Sequence, residues 1–216
     1  MHGKGCMEFE GNWGRPEHSK RFVDIILADG EVPLREVSKA NPQSVFARTV
    51  WLRMWVHALG FTALPHLGGF LGWFFTRKEV PTWFEDLKKP SWRPPNKMFP
   101  VAWTTLYTSM GYASYLVWKD LDGFNSQAVV PLGLYGAQLA LNWAWTPIFF
   151  GAHNLKLALI DIVGLYGLVL ATIYSWYPIN KTATLLMLPY LAWLTLASSL
   201  TYRIWKDNPE KGKKKE

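Results

Sequence analysis

From Arg53 to Arg77 the chain runs 23 residues without a charged side chain, and this pattern recurs along its length. Lys97 and Lys119 bracket another charge-free run, 98–118. A third lies between Asp122 and Lys156, with its apolar part at 128–152. A fourth, 157–177, is interrupted only by Asp161, and a fifth follows Lys181 and ends at Arg203. An α-helix rises about 1.5 Å per residue, so about 20 residues cross a hydrocarbon layer about 30 Å thick. A charge at mid-bilayer costs about 2.5 kcal/mol or more, which confines charges to span ends. A soluble bundle would instead show a polar stripe at the helical period on every helix, and these segments show none. The pattern predicts an all-α membrane protein, a bundle of five transmembrane helices at about 54–76, 98–118, 128–152, 157–177 and 182–203.

In lipid every backbone polar group must bond internally, so the spans are expected to be helices in contact. Small residues allow close approach. Gly68 with Gly72, Gly136 with Ala140 and Ala144, and Gly164 with Gly167 and Ala171 are candidate contact stripes. Pro65, Pro147 and Pro189 are expected to bend or locally open their helices.

Basic residues are concentrated in 77–97, at Lys156 and after Arg203, while Lys119 and Lys181 fall on the other side. The positive-inside rule then places the first loop and the C-terminus in the cytosol. The net charge of +7 is thus a statement about orientation and not about nucleic acid. Residues 1–50 read as a polar leader, disordered or an alternative start, with Met54 standing just ahead of the first span. Residues 209–216 form a basic cytosolic tail whose lysines at 213 and 214 resemble a dilysine retrieval signal of endoplasmic reticulum membrane proteins. Cys6 is the only cysteine, so neither a disulfide framework nor a cysteine metal site is expected. His57, His66 and His153 lack metal-ligand spacing and read as packing or interfacial residues. Asp161 is either turned into the bundle or held at the interface.

The loop 77–97 is long for a bundle connection, stiffened by Pro81, Pro90, Pro94 and Pro95, and armed with Trp83, Phe84 and Trp92. It reads as a lid. KPSWRPP at 89–95, Trp103, GYASYLVW at 111–118, LNWAWTPIFF at 141–150 and PYLAWL at 189–194 together resemble the translocator protein family, also called TspO/MBR or peripheral-type benzodiazepine receptors. The resemblance covers about 51–208. LPHLG at 64–68, His153-Asn154 and WYPINK at 176–181 are most like the second, erythroid vertebrate form.

The resemblance implies a five-helix bundle that binds cholesterol and porphyrins or haem, with the first loop capping the pocket. Carried over by motif position, the pocket comprises Trp73, Thr76, Trp92, Phe99, Ala102, Trp103, Asn142, Trp145, Leu157, Ile160, Trp193, Ala197 and Leu200. Flat aromatic walls suit a flat macrocycle. A bulky Trp73 would fill space used by synthetic drug ligands, and Leu157 stands where many relatives carry a tryptophan. Both departures predict weak drug binding. Leu200, Tyr202 and Lys206 match the cholesterol recognition pattern in the last span. Trp55, Trp118, Trp176 and Trp205, at span ends, are expected to be interfacial belt anchors.

The leading reading is a sterol-binding and sterol-redistributing membrane protein with a porphyrin-type pocket. Two alternatives stand beside it: light-dependent porphyrin degradation or porphyrin transport, through tryptophans matching Trp103 and Trp193, and a membrane scaffold. No conventional catalytic site, metal or cofactor is implied. Expected partners are membrane lipids, cholesterol and other membrane proteins or further copies of the chain. The expected location is the endoplasmic reticulum and nuclear envelope, with the mitochondrial outer membrane as the family's usual alternative.

Overall fold

A computed structural model describes residues 42–209, with side chains from Arg48. The leader before residue 42, Cys6 and the terminal lysines lie outside the described residues. The chain divides into two compact units, Met1–Trp51 and Leu52–Glu216. Only the opening turns of helix α1 are described in the first unit, and the helical bundle belongs to the second.

Six α-helices occur among the described residues, and no strand: α1 (Pro42–Ala63), α2 (His66–Glu79), α3 (Met98–Asp120), α4 (Val129–Thr146), α5 (Leu155–Trp176) and α6 (Lys181–Asp207). α1 and α2 are halves of the first span, broken at Leu64-Pro65 because proline has no N–H for the helical ladder. The helical segments cover all five charge-free runs, but the first begins at Pro42, inside the stretch to residue 50 expected as a disordered leader, because proline suits a first helical turn and no further proline stands before Pro65. By length and composition alone, Arg48–Phe84, Leu155–Trp176 and Lys181–Asp207 are apolar enough to cross a membrane. α3 carries five serines and threonines with several Tyr and Trp side chains, and α4 carries Gln138 and Asn142.

Many polar side chains of the bundle point inward. Ser114, Gln138, Asn142, Thr172, Thr184 and Thr201 are buried, while large apolar side chains such as Val101, Val129, Val163, Leu185 and Tyr174 stand on the outside. Several hydroxyls are satisfied along their own helices: Thr105 Oγ1 donates to Val101 O at 3.0 Å and Thr108 Oγ1 to Thr104 O at 2.8 Å. An exterior this apolar around an interior this polar is stable in hydrocarbon and aggregates in water.

Within this unit α5 packs between α4 and α6, α6 also packs on α3, and α2 lies on α4 and α3. The core consists of Met110, Val117, Leu139, Leu165, Val169, Trp176, Met187, Tyr190 and Leu194 with their neighbours. Trp176 is fully buried and its Nε1 donates to Pro131 O at 3.1 Å, so it is a core residue and not the belt anchor expected. The helix end it occupies is covered by α4, which the sequence could not show. Trp118 is half-buried, stacked 4.7 Å from His57, whereas Trp55 and Trp205 are exposed.

Small residues are used selectively. A Cβ on Gly68 would lie 1.8 Å from Trp143, and one on Gly111 would lie 2.7 Å from Phe61 O and Thr62 Cα. Gly136 and Gly167, expected in contact stripes, have nothing within 4 Å and face outward. Pro189 leaves Leu185 O without its helical donor. One residue on, Leu186 O receives the Ser109 hydroxyl at 2.8 Å, fastening α3 to the weakened turn.

The lid is shorter than its sequence suggests. α2 runs to Glu79, with Arg77 and Lys78 favourably placed in its last turn, and continues as a π-helical turn, Val80–Phe84. Only 85–97 is irregular. A second π-helical turn, Pro147–Gly151, follows α4 at Pro147.

Candidate functional site

The bundle encloses a cavity of about 780 Å³ beneath the first loop. α2 to α6 contribute residues at helical spacing, α5 through Ile162 and Leu165. α3 supplies Phe99, Trp103 and Tyr107, and α4 supplies Asn142, Trp145 and Thr146. From α6 come Trp193, Ala197, Leu200 and Ile204. α2 borders it with Gly68, Gly72, Trp73, Thr76 and Arg77. A Cβ on Gly68 would strike Trp143 and one on Gly72 would meet Thr146 at 3.5 Å, so the two glycines let α2 lie close against α4.

The walls are aromatic. Trp193 meets Phe99 edge-on at 5.7 Å and Trp103 at 6.4 Å, while Trp145 stacks on Phe149 at 4.7 Å. Such edge-to-face sets leave flat faces turned toward the space between them. The Nε1 atoms of Trp145 and Trp193 are buried and have no hydrogen-bond partner among the described residues. A buried donor without a partner costs stability, and both nitrogens are sealed within the wall instead of open to the cavity.

A polar chain runs behind one end of the cavity and reaches its lining through Tyr107 and Asn142. Tyr107 OH donates to Asn142 Oδ1 at 2.8 Å, Asn142 Nδ2 donates to Tyr190 OH at 3.0 Å, and Tyr190 OH donates to Gln138 Oε1 at 3.1 Å. It ties α3, α4 and α6 together and fixes the rotamer of Asn142. Asp161 is also buried in the bundle, with Oδ2 unpartnered among the described residues, which resolves its two readings toward the interior.

The loop is held over the cavity by its own contacts. Phe84 is buried against Phe149 and Phe150 at 6.1 and 5.5 Å, and Trp83 stacks on His153 at 4.1 Å. His153 adopts a positive φ of 51° and sets Nε2 2.9 Å from Glu79 Oε2. At the other side Asn208 accepts from Lys88 N at 2.9 Å and donates to Lys88 O at 3.0 Å. The loop, the α4–α5 joint and the end of α6 therefore share one end of the bundle.

Of the thirteen residues expected in a pocket, Trp73, Thr76, Phe99, Trp103, Asn142, Trp145, Trp193, Ala197 and Leu200 are brought together here. Four are not. Trp92 is exposed on the loop, and its neighbour Arg93 lines the cavity in its place. Ala102 lies in a shallow outer groove with Pro189, Ala192 and Leu196. Leu157 and Ile160 are exposed, because the buried stripe of α5 runs Leu155, Ala158, Ile162, Leu165. Two residues along a helix is a turn of about 200°, so both point away. Trp73 is 59% exposed at the rim, under Arg77, and does not fill the interior as expected. The same geometry divides the cholesterol pattern. Leu200 faces the cavity, whereas Tyr202 and Lys206 face outward, with the ammonium 5.9 Å from the ring. Sequence reasoning missed Tyr107, Tyr190, Gln138, Arg77 and Arg93. Tyrosine and glutamine inside charge-free spans were the available signal for the first three.

The lining residues span 66 to 204, and a profile of the TspO/MBR family matches residues 61–206. The chain belongs to the TspO/MBR family. Among its relatives, "Translocator protein" of Bos taurus is 52% identical over 154 residues, 71% of this chain and 91% of that protein. "Translocator protein 2" of Canis lupus familiaris is 52% identical over 149 residues, 68% of this chain and 87% of its own length. "Protein CrtK" of Rhodobacter capsulatus is 41% identical over 127 residues, 59% and 79%. This TspO/MBR chain is thus a translocator-family membrane protein, similar to both vertebrate forms to the same degree. The whole cavity lies inside its TspO/MBR region.

Proposed function

We propose that this protein spans the membrane five times, binds a porphyrin-type macrocycle in its cavity, and binds and redistributes cholesterol. The observation that carries the cavity reading is its wall of Trp103, Trp145 and Trp193. A flat, largely apolar ligand fits such a wall. Protoporphyrin titration of the detergent-purified chain, followed by tryptophan quenching, tests it. Trp145→Ala and Trp193→Ala should each weaken binding about fivefold or more, the value of a lost aromatic contact near 1 kcal/mol. Unaltered affinity in both variants refutes the reading.

Sterol is proposed to bind the outer face near the C-terminal end of α6, where Tyr202, Trp205 and Lys206 form an exposed aromatic and basic surface. The ring offers a flat face and the ammonium meets a hydroxyl at the interface. A cholesterol photolabel should mark this surface, and Tyr202→Ser should reduce the labelling; equal labelling removes the site. With Leu200 turned inward, Leu200→Ala should leave the outer labelling largely unchanged.

Light-dependent porphyrin loss is a second reading, favoured by the adjacency of Trp103 and Trp193 in the lining. It requires that illumination deplete porphyrin with wild-type protein and not with Trp193→Phe. Endoplasmic reticulum and nuclear envelope residence with a cytosolic C-terminus is proposed from the basic loop and tail. The exposed small face of α4, at Gly133, Gly136, Ala137 and Ala140, offers a surface for self-association.

A further inference from the structure

The first loop carries an aromatic side chain that the bundle does not use. Trp83 and Phe84 are packed against Phe149, Phe150 and His153, whereas Trp92 is 48% exposed. Arg93 N donates to Pro90 O at 3.2 Å, closing a turn with Ser91 and Trp92 at its apex. Pro90, Pro94 and Pro95 fix φ on either side, so the indole is presented on a stiff tip. A few residues on, Lys97 precedes α3, whose first turn exposes Met98 and Val101. The tip is therefore only a short stretch of chain from the point where a lipid-facing helix leaves the hydrocarbon, the level at which indole rings partition best.

Charge at this end of the bundle is one-sided. Glu79 lies 2.9 Å from His153, Glu85 pairs with Lys89 at 3.6 Å, Asp207 pairs with Arg203 at 3.3 Å, and Asp86 is engaged as well. Lys78, Lys88, Lys97, Lys156 and Lys206 are exposed, and none has a carboxylate partner among the described residues. They come from α2, the loop, α5 and α6, so they form a rim around the loop. A rim of unpaired lysines beside an exposed indole is complementary to a layer that is anionic outside and apolar within, the headgroup region of an anionic leaflet. We propose that the first loop docks on this layer: Trp92 enters the headgroup region, and Lys88 and Lys97 on either side of it hold the phosphates of anionic phospholipids. The bilayer is then a second fastening for the loop beside Asn208 and His153, and its charge sets how firmly the loop stays down. This docking is independent of what the cavity binds.

The test reconstitutes the full chain into nanodiscs of phosphatidylcholine alone or of phosphatidylcholine mixed with phosphatidylserine, and follows hydrogen exchange across 85–97. Phosphatidylserine should slow that exchange about fivefold or more, and rising salt should erase the gain. The double variant Lys88→Gln, Lys97→Gln should lose the gain, whereas Lys119→Gln, Lys181→Gln at the other end of the bundle should keep it. Trp92→Ala should speed exchange of the loop in both membranes. All five side chains are exposed, so each variant keeps the folded bundle. Equal exchange of the wild type in the two membranes overturns the docking, as does a phosphatidylserine gain that survives Lys88→Gln, Lys97→Gln. A Trp92→Ala variant whose loop exchanges like the wild type overturns the anchor.

Discussion

Replacing Gly111 with alanine should loosen the contact between α1 and α3 by an amount that the geometry defines. The added Cβ would sit 2.7 Å from both Phe61 O and Thr62 Cα and 2.9 Å from Thr62 O. These are backbone atoms and cannot rotate aside. To reach an ordinary contact near 3.4 Å, α1 must retreat by roughly 0.7 Å, which forfeits a quarter to a half of the dispersion across that seam. The aromatic set beside it, Phe61 with Trp118 at 5.4 Å and with Tyr115 at 6.4 Å, would be pulled apart as well. Overpacking of this kind costs about 1–3 kcal/mol, and the better helix propensity of alanine returns up to about 1 kcal/mol. The net expectation is a loss of about 1–2 kcal/mol, or about 3–6 °C in the melting temperature of the detergent-solubilised protein. Gly167→Ala is the matched control, since its Cβ meets nothing within 4 Å and should leave the melting temperature unchanged or raise it. If Gly111→Ala melts at or above the wild type, or Gly167→Ala falls equally, the close-contact argument is wrong.

Tyr190→Phe removes the hydroxyl that joins Asn142 to Gln138 and strands two buried polar groups, so thermal unfolding should show a loss of about 1–3 kcal/mol. Asn208→Ala should release the lid at Lys88, raising hydrogen exchange across 85–97 about 5–30-fold with little change in α5. His153→Ala, which removes the stack on Trp83 and the Glu79 contact, should expose the same segment to limited proteolysis. Asp161→Asn keeps the shape while removing a carboxylate whose Oδ2 has no partner among the described residues. Unfolding at neutral pH should show equal or greater stability.

The placement of the helices, though not where the first begins or where α4 ends, was legible because it follows from a local property. Hydrocarbon excludes charge, so the runs from Arg53 to Arg77 and from Lys97 to Lys119 mark helices without reference to anything else in the chain. Pro65 and Pro147 likewise act within a turn of their own position. The family was legible from motifs 89–95, 141–150 and 189–194, and with it Trp103, Asn142, Trp145 and Trp193. Tertiary structure decided which way each helix faces. Apolar all round, α5 gave no periodic sign that Leu157 and Ile160 turn outward while Ile162 and Leu165 turn in. Trp176 looks like a belt residue at a span end until α4 covers it. Gly111 and Gly167 are the same residue in similar sequence, yet one touches a neighbouring backbone and the other touches nothing. The chain from Tyr107 through Asn142 and Tyr190 to Gln138 joins three helices, and Arg77 and Arg93 meet the cavity from separate segments. In a span whose whole surface is compatible with lipid, hydropathy sets depth in the membrane but not rotation. Only packing against the other helices sets rotation, and rotation determines what the cavity is made of.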